Sequence, residues 1–219
     1  MKKIVCLLLG LILCMGLFSA CAEEKAQPEV VTEEEQKTTE KVAAEAEKAE
    51  EEIKENELPF DGTRQFWFSS GAGGWYTELN LKKDGTFTGH YQDSEMGIGG
   101  EGYQGTLYLC DFKGSFSKIE KVDDYSYRLY LGELTIKDAD KEPWIENETQ
   151  YVPYDIPYGM EECEMFMLYL PGTDVRQHPE EFLSWWQKKY ADDGTMLTKL
   201  NGYALHNTAH DYGLFSYDE

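Results

Sequence analysis

GAGGWYTELNLKKDGTFTGHYQDSEMG, residues 71–97, is the stretch on which the fold turns. Trp75, Thr77, Leu79 and Leu81 share one face of an extended chain, and Tyr76, Glu78 and Asn80 share the other. This period of two, mostly apolar on one side and polar on the other, is that of a half-buried strand. Lys82–Gly85 supplies the turn, because Asp bonds its own backbone readily and Gly takes positive φ at no steric cost. The chain returns through Thr86–Tyr91, with Phe87 opposite in phase to Thr86 and Thr88. The stretch therefore reads as a β-hairpin that begins a small barrel, with Trp75 as a buried anchor. The glycines before Trp75 allow a sharp bend or a close approach that a bulkier residue would block.

The flanking sequence extends this pattern. Gly62–Ser70 is a short β-rich run, and GIGGEGYQG over 97–105 reads as a glycine-rich connection. Thr106–Ile119 alternates, with Gly114 as a bulge or barrel kink, and Tyr125–Ile136 alternates again. Met165–Leu170 ends at Pro171–Gly172, and Gly202–Asn207 and Tyr212–Tyr217 close the chain. Pro179 followed by Glu180 and Glu181 is a helix start signal. Phe182, Trp185, Trp186 and Tyr190 form that helix's apolar face, and Asp192–Gly194 ends it. About eight strands, one late helix and no strand–helix–strand alternation predict a mainly β chain folded as an antiparallel barrel.

Toward the N-terminus the character changes twice. Residues 1–20, MKKIVCLLLGLILCMGLFSA, place two lysines before an apolar run and then small residues, the pattern of a secretory signal peptide. The run is shorter than the ~20 residues of a comfortable membrane span. Residues 22–57 hold 14 Glu and 5 Lys with no aromatic residue and no Gly. Such a composition cannot bury enough apolar surface to offset ordering entropy, so 21–58 reads as an acidic tether, disordered or partly helical. The β domain is then 59–219, long enough for one hydrophobic core. The whole chain carries −22; after the signal's two lysines and the tether's excess of nine glutamates, the domain is left with −15. So acidic a domain excludes non-specific binding to nucleic acid or to an anionic lipid surface.

Three resemblances stand on these residues. Leu17-Phe18-Ser19-Ala20-Cys21 resembles the lipobox of bacterial lipoproteins, with Phe18 in place of the usual Leu. The resemblance implies lipidation of Cys21 and a place at the cell membrane, on its extracytoplasmic face; two or three acyl chains tether a domain firmly. Gly74-Trp75, the meander and the helix before the last strands resemble lipocalin-type barrels. The stretch from Ser70 to Gly114, with Pro171-Gly172-Thr173 before the helix, is similar to an uncharacterised domain of lipoproteins of Gram-positive bacteria. That domain brings no known activity with it.

The residues that could carry chemistry are few. Cys110 and Cys163 are the cysteines left to the exported domain, and they could form a disulfide or stay as buried free thiols. His206 and His210 have the i,i+4 spacing of zinc ligands, but they fall on a strand and its turn with no third ligand. Asp138–Glu142 resembles the start of a calcium loop, yet Pro143 stands where Gly is needed and Thr149 where Glu is needed. Asp93, Glu95 and Glu101 flank the glycine-rich connection, where they could hold a cation. Nucleophile, phosphate-loop and dinucleotide motifs are absent from the sequence, so no catalytic residue, cofactor or metal is assigned and the reading is non-enzymatic.

Lys137–Glu162 is a long segment carrying Trp144, Tyr151, Tyr154 and Tyr158. These rings either line a ligand surface or plug the barrel. The functional expectation is a cell-surface binding module for a small molecule or glycan, with a structural or protein-interaction module as the alternative. A cavity inside the barrel would favour the ligand. A filled interior with apolar surface outside would favour a protein partner.

Overall fold

A computed structural model describes residues 56–217. The signal peptide, Cys21 and nearly all of the tether lie outside the described residues. Ten strands occur among those described: β1 (Thr63–Phe68), β2 (Trp75–Lys82), β3 (Thr86–Gly100), β4 (Tyr103–Lys121), β5 (Ser126–Lys137), β6 (Trp144–Glu146), β7 (Thr149–Pro153), β8 (Met165–Tyr169), β9 (Ala204–Asn207) and β10 (Tyr212–Phe215). One α-helix, α1 (Glu180–Ser184), follows a 3-10 turn at Val175–Gln177.

Eight of the strands close into an antiparallel barrel in the order β1-β2-β3-β4-β5-β8-β9-β10 and back to β1. Each barrel strand pairs with the next one along the chain, so the barrel is an up-and-down meander. Its closing seam, β10 to β1, is held by a single residue pair, Trp67 opposite Phe215. The hairpin read from the sequence starts the meander, with Leu81 opposite Phe87, Leu79 opposite Gly89 and Thr77 opposite Tyr91. At its turn Gly85 has φ +79°, and Asp84 Oδ1 accepts the Thr86 N–H at 3.0 Å.

Three local expectations change. Trp75 is half-buried at the barrel mouth, so Thr77, Leu79 and Leu81 do the inward packing. Residues 97–105 do not form a loop: β3 runs to Gly100, β4 begins at Tyr103, and only Glu101–Gly102 turns. The helix stops at Ser184, so Tyr190 lies beyond it and bridges to Met196. Gly114 does sit at a disturbance, since the β4–β5 register shifts on either side of Phe116.

Apolar side chains pack on both faces of the wall. Inside, Phe66, Phe68, Phe87, Phe112, Phe116 and Phe166 pack with leucines from every quarter of the barrel. Phe112 lies so close over Gly89 that a Cβ there would stand 2.1 Å from its ring. Outside, Phe182 and Trp186 cover β9 and β10 together with Val175, Leu200, Ala204 and Phe215. That second layer buries β9 on both faces.

Both barrel ends are covered. At the β2–β3 turn end, Leu58 and Phe60 join the interior core, and the Leu58 N–H donates to Lys83 O at 2.8 Å. At the other end Met160 is fully buried, and the wall holds its segment: Thr77 Oγ1 donates to Tyr158 O at 2.6 Å and Asn207 Nδ2 to Gly159 O at 3.1 Å. The hairpin β6–β7 stands outside the barrel, with β7 parallel to β4 from Gly105 opposite Thr149 to Leu109 opposite Pro153.

Candidate binding face

Because interior side chains fill the barrel, binding surface has to be sought on the opposite face of each strand. There the alternation that sends Thr77, Leu79 and Tyr91 inward sends Tyr76, Glu78, His90 and Gln92 outward. The registers align these residues into rows across the sheet. One row runs Tyr76, Gln92, Leu109, Pro153. The next runs Ser94, Leu107, Tyr151, Trp144. All eight side chains are half-buried, packed along the wall with one side to solvent.

The rows are internally organised. Trp144 and Tyr151 stack with centroids 5.0 Å apart and planes 9° from parallel, and Lys141 Nζ sits 4.0 Å from the Trp144 ring centre. Such offset-stacked pairs and cation–π contacts each contribute ~1 kcal/mol and fix the ring planes. Tyr76 Oη donates to Gln92 Oε1 at 3.2 Å, and Trp67 packs 5.4 Å from Tyr76. His90 Nδ1 lies 2.7 Å from Asp111 Oδ1. Further down the same face a groove of about 320 Å³ opens between Lys82, Thr86, Thr88, Lys113 and Ser115. Fixed aromatic planes beside amide, hydroxyl and carboxylate groups suit a ligand with both apolar C–H faces and many hydroxyls.

The four aromatic candidates of the long segment divide between two places. Trp144 and Tyr151 lie on the outer face. Tyr154 packs on Tyr91 and Tyr108 at the barrel mouth, at 5.8 and 6.1 Å. Tyr158 meets Phe68, Trp75, Tyr91 and Tyr212 there, all within 6 Å. Burial, then a hydrogen bond with Tyr212, pushes the Tyr158 hydroxyl up to about 12, so it stays neutral in the roof. Tyr91 is raised further, by burial and then by the charge of Asp93. The outer-face residues Tyr76, Gln92, Leu107 and Leu109 form no aromatic cluster in the sequence. Their signal is the solvent side of the same alternation that reveals the core.

The remaining candidates are placed as follows. Cys110 and Cys163 are separate, buried free thiols, so the disulfide open to them is not formed. Burial pushes the Cys110 thiol up to about 12, and the Cys163 thiol donates to Met165 O at 3.1 Å. His206 Nε2 lies 2.9 Å from Asp211 Oδ1, while His210 Nε2 lies 3.1 Å from Glu162 Oε2. The two histidines thus serve different carboxylates. Glu95 accepts from Tyr108 Oη at 3.3 Å. Among the described residues no group of three or more His, Cys, Asp or Glu is arranged to hold a metal ion. In the same residues no helix is long and apolar enough to cross a membrane.

The chain was compared with protein-family models, curated proteins and solved structures, and none of them matches it.

Proposed function

We propose that this chain is a lipid-anchored binding module on the extracytoplasmic face of the cell membrane, non-enzymatic, taking a glycan on the outer face of its barrel. One observation carries the ligand reading: Trp144, Tyr151, Leu107 and Ser94 stand in register on the solvent side of the wall, beside Tyr76 and Gln92. Sugar rings present C–H faces to such aromatic planes and hydroxyls to the amide and hydroxyl groups beside them. The anchor reading is supported by the lipobox-like run ending at Cys21. The protein-interaction alternative draws support from the filled interior and from exposed Met96 and Ile145 beside the same strands.

The test is binding to an array of linear glycans, followed by titration of the tryptophan fluorescence. Trp144→Ala and Tyr151→Ala should each weaken binding about tenfold or more and leave the melting temperature nearly unchanged. Wild-type affinity in both variants rejects the face; pull-down of a protein through Met96 and Ile145 with no glycan bound favours the alternative. For the anchor, Cys21→Ala should shift the protein from membranes into the medium, and a variant still partitioning with detergent removes that part of the reading.

A further inference from the structure

The groove at the lower end of the outer face has a cause in the backbone. β4 and β5 pair in step up to Gly114 opposite Leu134, but Phe116 then stands opposite Leu131, so β5 carries one extra residue at Gly132–Glu133. Bulges of this kind re-aim side chains and interrupt a wall locally. Gly114 is needed where the strands close up again: a Cβ there would meet Glu133 O at 2.2 Å and the Phe87 ring at 2.5 Å. The opening is lined by the hydroxyl-bearing residues Thr86, Thr88, Ser115 and Thr135.

Two cations stand at this opening, Lys82 and Lys113, and both are exposed. Neither has a carboxylate within ion-pair distance among the described residues, although the domain has far more carboxylates than cations. Lys83, Lys118, Lys121 and Lys137 have such partners; Lys82 and Lys113 share their lack of one with Lys141, Lys188, Lys189 and Lys199, and differ from those in standing together at one recess. Glu133, also on the groove, belongs to the bulge and is exposed. The Thr86 hydroxyl already donates to Asp84 Oδ1 at 2.6 Å, and Lys82 lies near enough to that carboxylate to help hold it ionised. Two ammonium groups outside ion pairs, with Thr88, Ser115 and Thr135 around a bulge-made recess, complement an oxyanion.

We propose that the groove receives the carboxylate- or phosphate-bearing unit of an acidic linear glycan. The inference rests on the outer-face reading, which supplies the rest of the contact. From Ser94, in the upper aromatic row, to Thr88, in the groove, is six strand residues, roughly 20 Å, the reach of a short oligosaccharide. Charge explains why the groove needs this help. A domain of −15 repels a free anion at long range, and the lysines act only within about a Debye length, ~10 Å. An anion carried on a chain already held by Trp144 and Tyr151 arrives at high effective concentration and meets the lysines at contact distance.

The experiment compares matched pairs on the intact protein: hexagalacturonate with its methyl ester, and a phosphate-bearing mannose oligomer with its dephosphorylated form, at low and at physiological salt. The acidic member of a pair should bind about tenfold tighter, with the preference shrinking as salt rises; which pair shows it separates carboxylate from phosphate. The Lys82→Gln, Lys113→Gln double variant should lose the preference and keep the affinity for the neutral member. Equal binding of both members, with Trp144→Ala still weakening both, overturns the groove alone. A preference that survives the double variant also overturns it. No glycan binding of any kind overturns the groove and the outer-face reading together.

Discussion

His206 lies beneath α1, its ring 4.5 Å from that of Phe182, with Nε2 on Asp211 and Nδ1 without a hydrogen-bond partner. His178 packs 4.2 Å from the Tyr169 ring, and its Nε2 is also unpartnered. Burial lowers both imidazoles below their ordinary 6.5; at His178 the charge of His206 adds to the shift and Asp174 opposes it, and at His206 Asp211 opposes it. The sign follows from proton counting. Below 6.5 the unfolded chain binds protons that the folded chain refuses, so stability is complete above that pH and declines as pH falls toward the folded values. The melting temperature should therefore drop between about pH 7.5 and about pH 5.5, and His178→Phe with His206→Phe should flatten that slope. Carboxyls act outside this expectation: those held low by hydrogen bonds, Asp174 furthest, titrate at lower pH, and Glu161, raised by burial, acts in the opposite direction. A wild-type melting temperature flat across that window would remove the two histidines from the account. Neither burial was legible in the sequence, because the layer that covers His206 comes from α1 and the 3-10 turn, some 25 residues earlier in the chain.

The layer formed by α1 and its flanks gives the element scale its clearest energetic ranking. Trp186 is 1% exposed and stacks near Phe215, although the helix itself has only five residues. So short a helix has little intrinsic stability and is held by the face it buries. Trp186→Ala should cost ~3–5 kcal/mol, half-buried Trp75→Ala about half that, and Trp144→Ala, on the outlying hairpin, under about 1 kcal/mol. Urea midpoints of the three variants check the order, and a larger loss at Trp144 than at Trp186 would reverse the assignment of wall and appendage. The eight barrel strands were readable because alternation and Gly, Asp or Pro breaks mark each of them. The β6–β7 hairpin was not, since its two-residue turn is Asn147–Glu148, both at positive φ. Glutamate is not a residue that announces a left-handed turn. The helix was overestimated for the converse reason: Pro179, Glu180 and Glu181 mark its start well, but local sequence does not show that Trp186 is held in the outer cluster while Trp185 packs on both the outer and the interior one. As for the candidate face, only Trp144 and Tyr151 were found from composition. The others need the registers between strands distant in the chain.

At the scale of the whole molecule, the segment leading into β1 is part of the barrel. Asn56 Oδ1 accepts the Ile119 N–H at 2.9 Å, Glu57 pairs with Lys83 at 2.9 Å, and Leu58 is 1% exposed. A chain beginning at Asn56 should keep the full urea midpoint. One beginning at Gly62 loses Leu58 and Phe60 from the floor and should be less stable by ~4 kcal/mol or more. Equal midpoints would show that the floor contributes nothing. The same region bears on how the barrel forms. Five of its strand pairs join near neighbours and can zip as local hairpins, β5–β8 and β8–β9 close longer connections, and the seam joins Trp67 to Phe215 across almost the full domain and with one residue pair. The seam closes the longest loop of the barrel and adds least to the ladder, so it forms late and lowers the folding rate. The barrel is therefore slow to shut and first to part at β1–β10, and amide exchange should be fastest along that line.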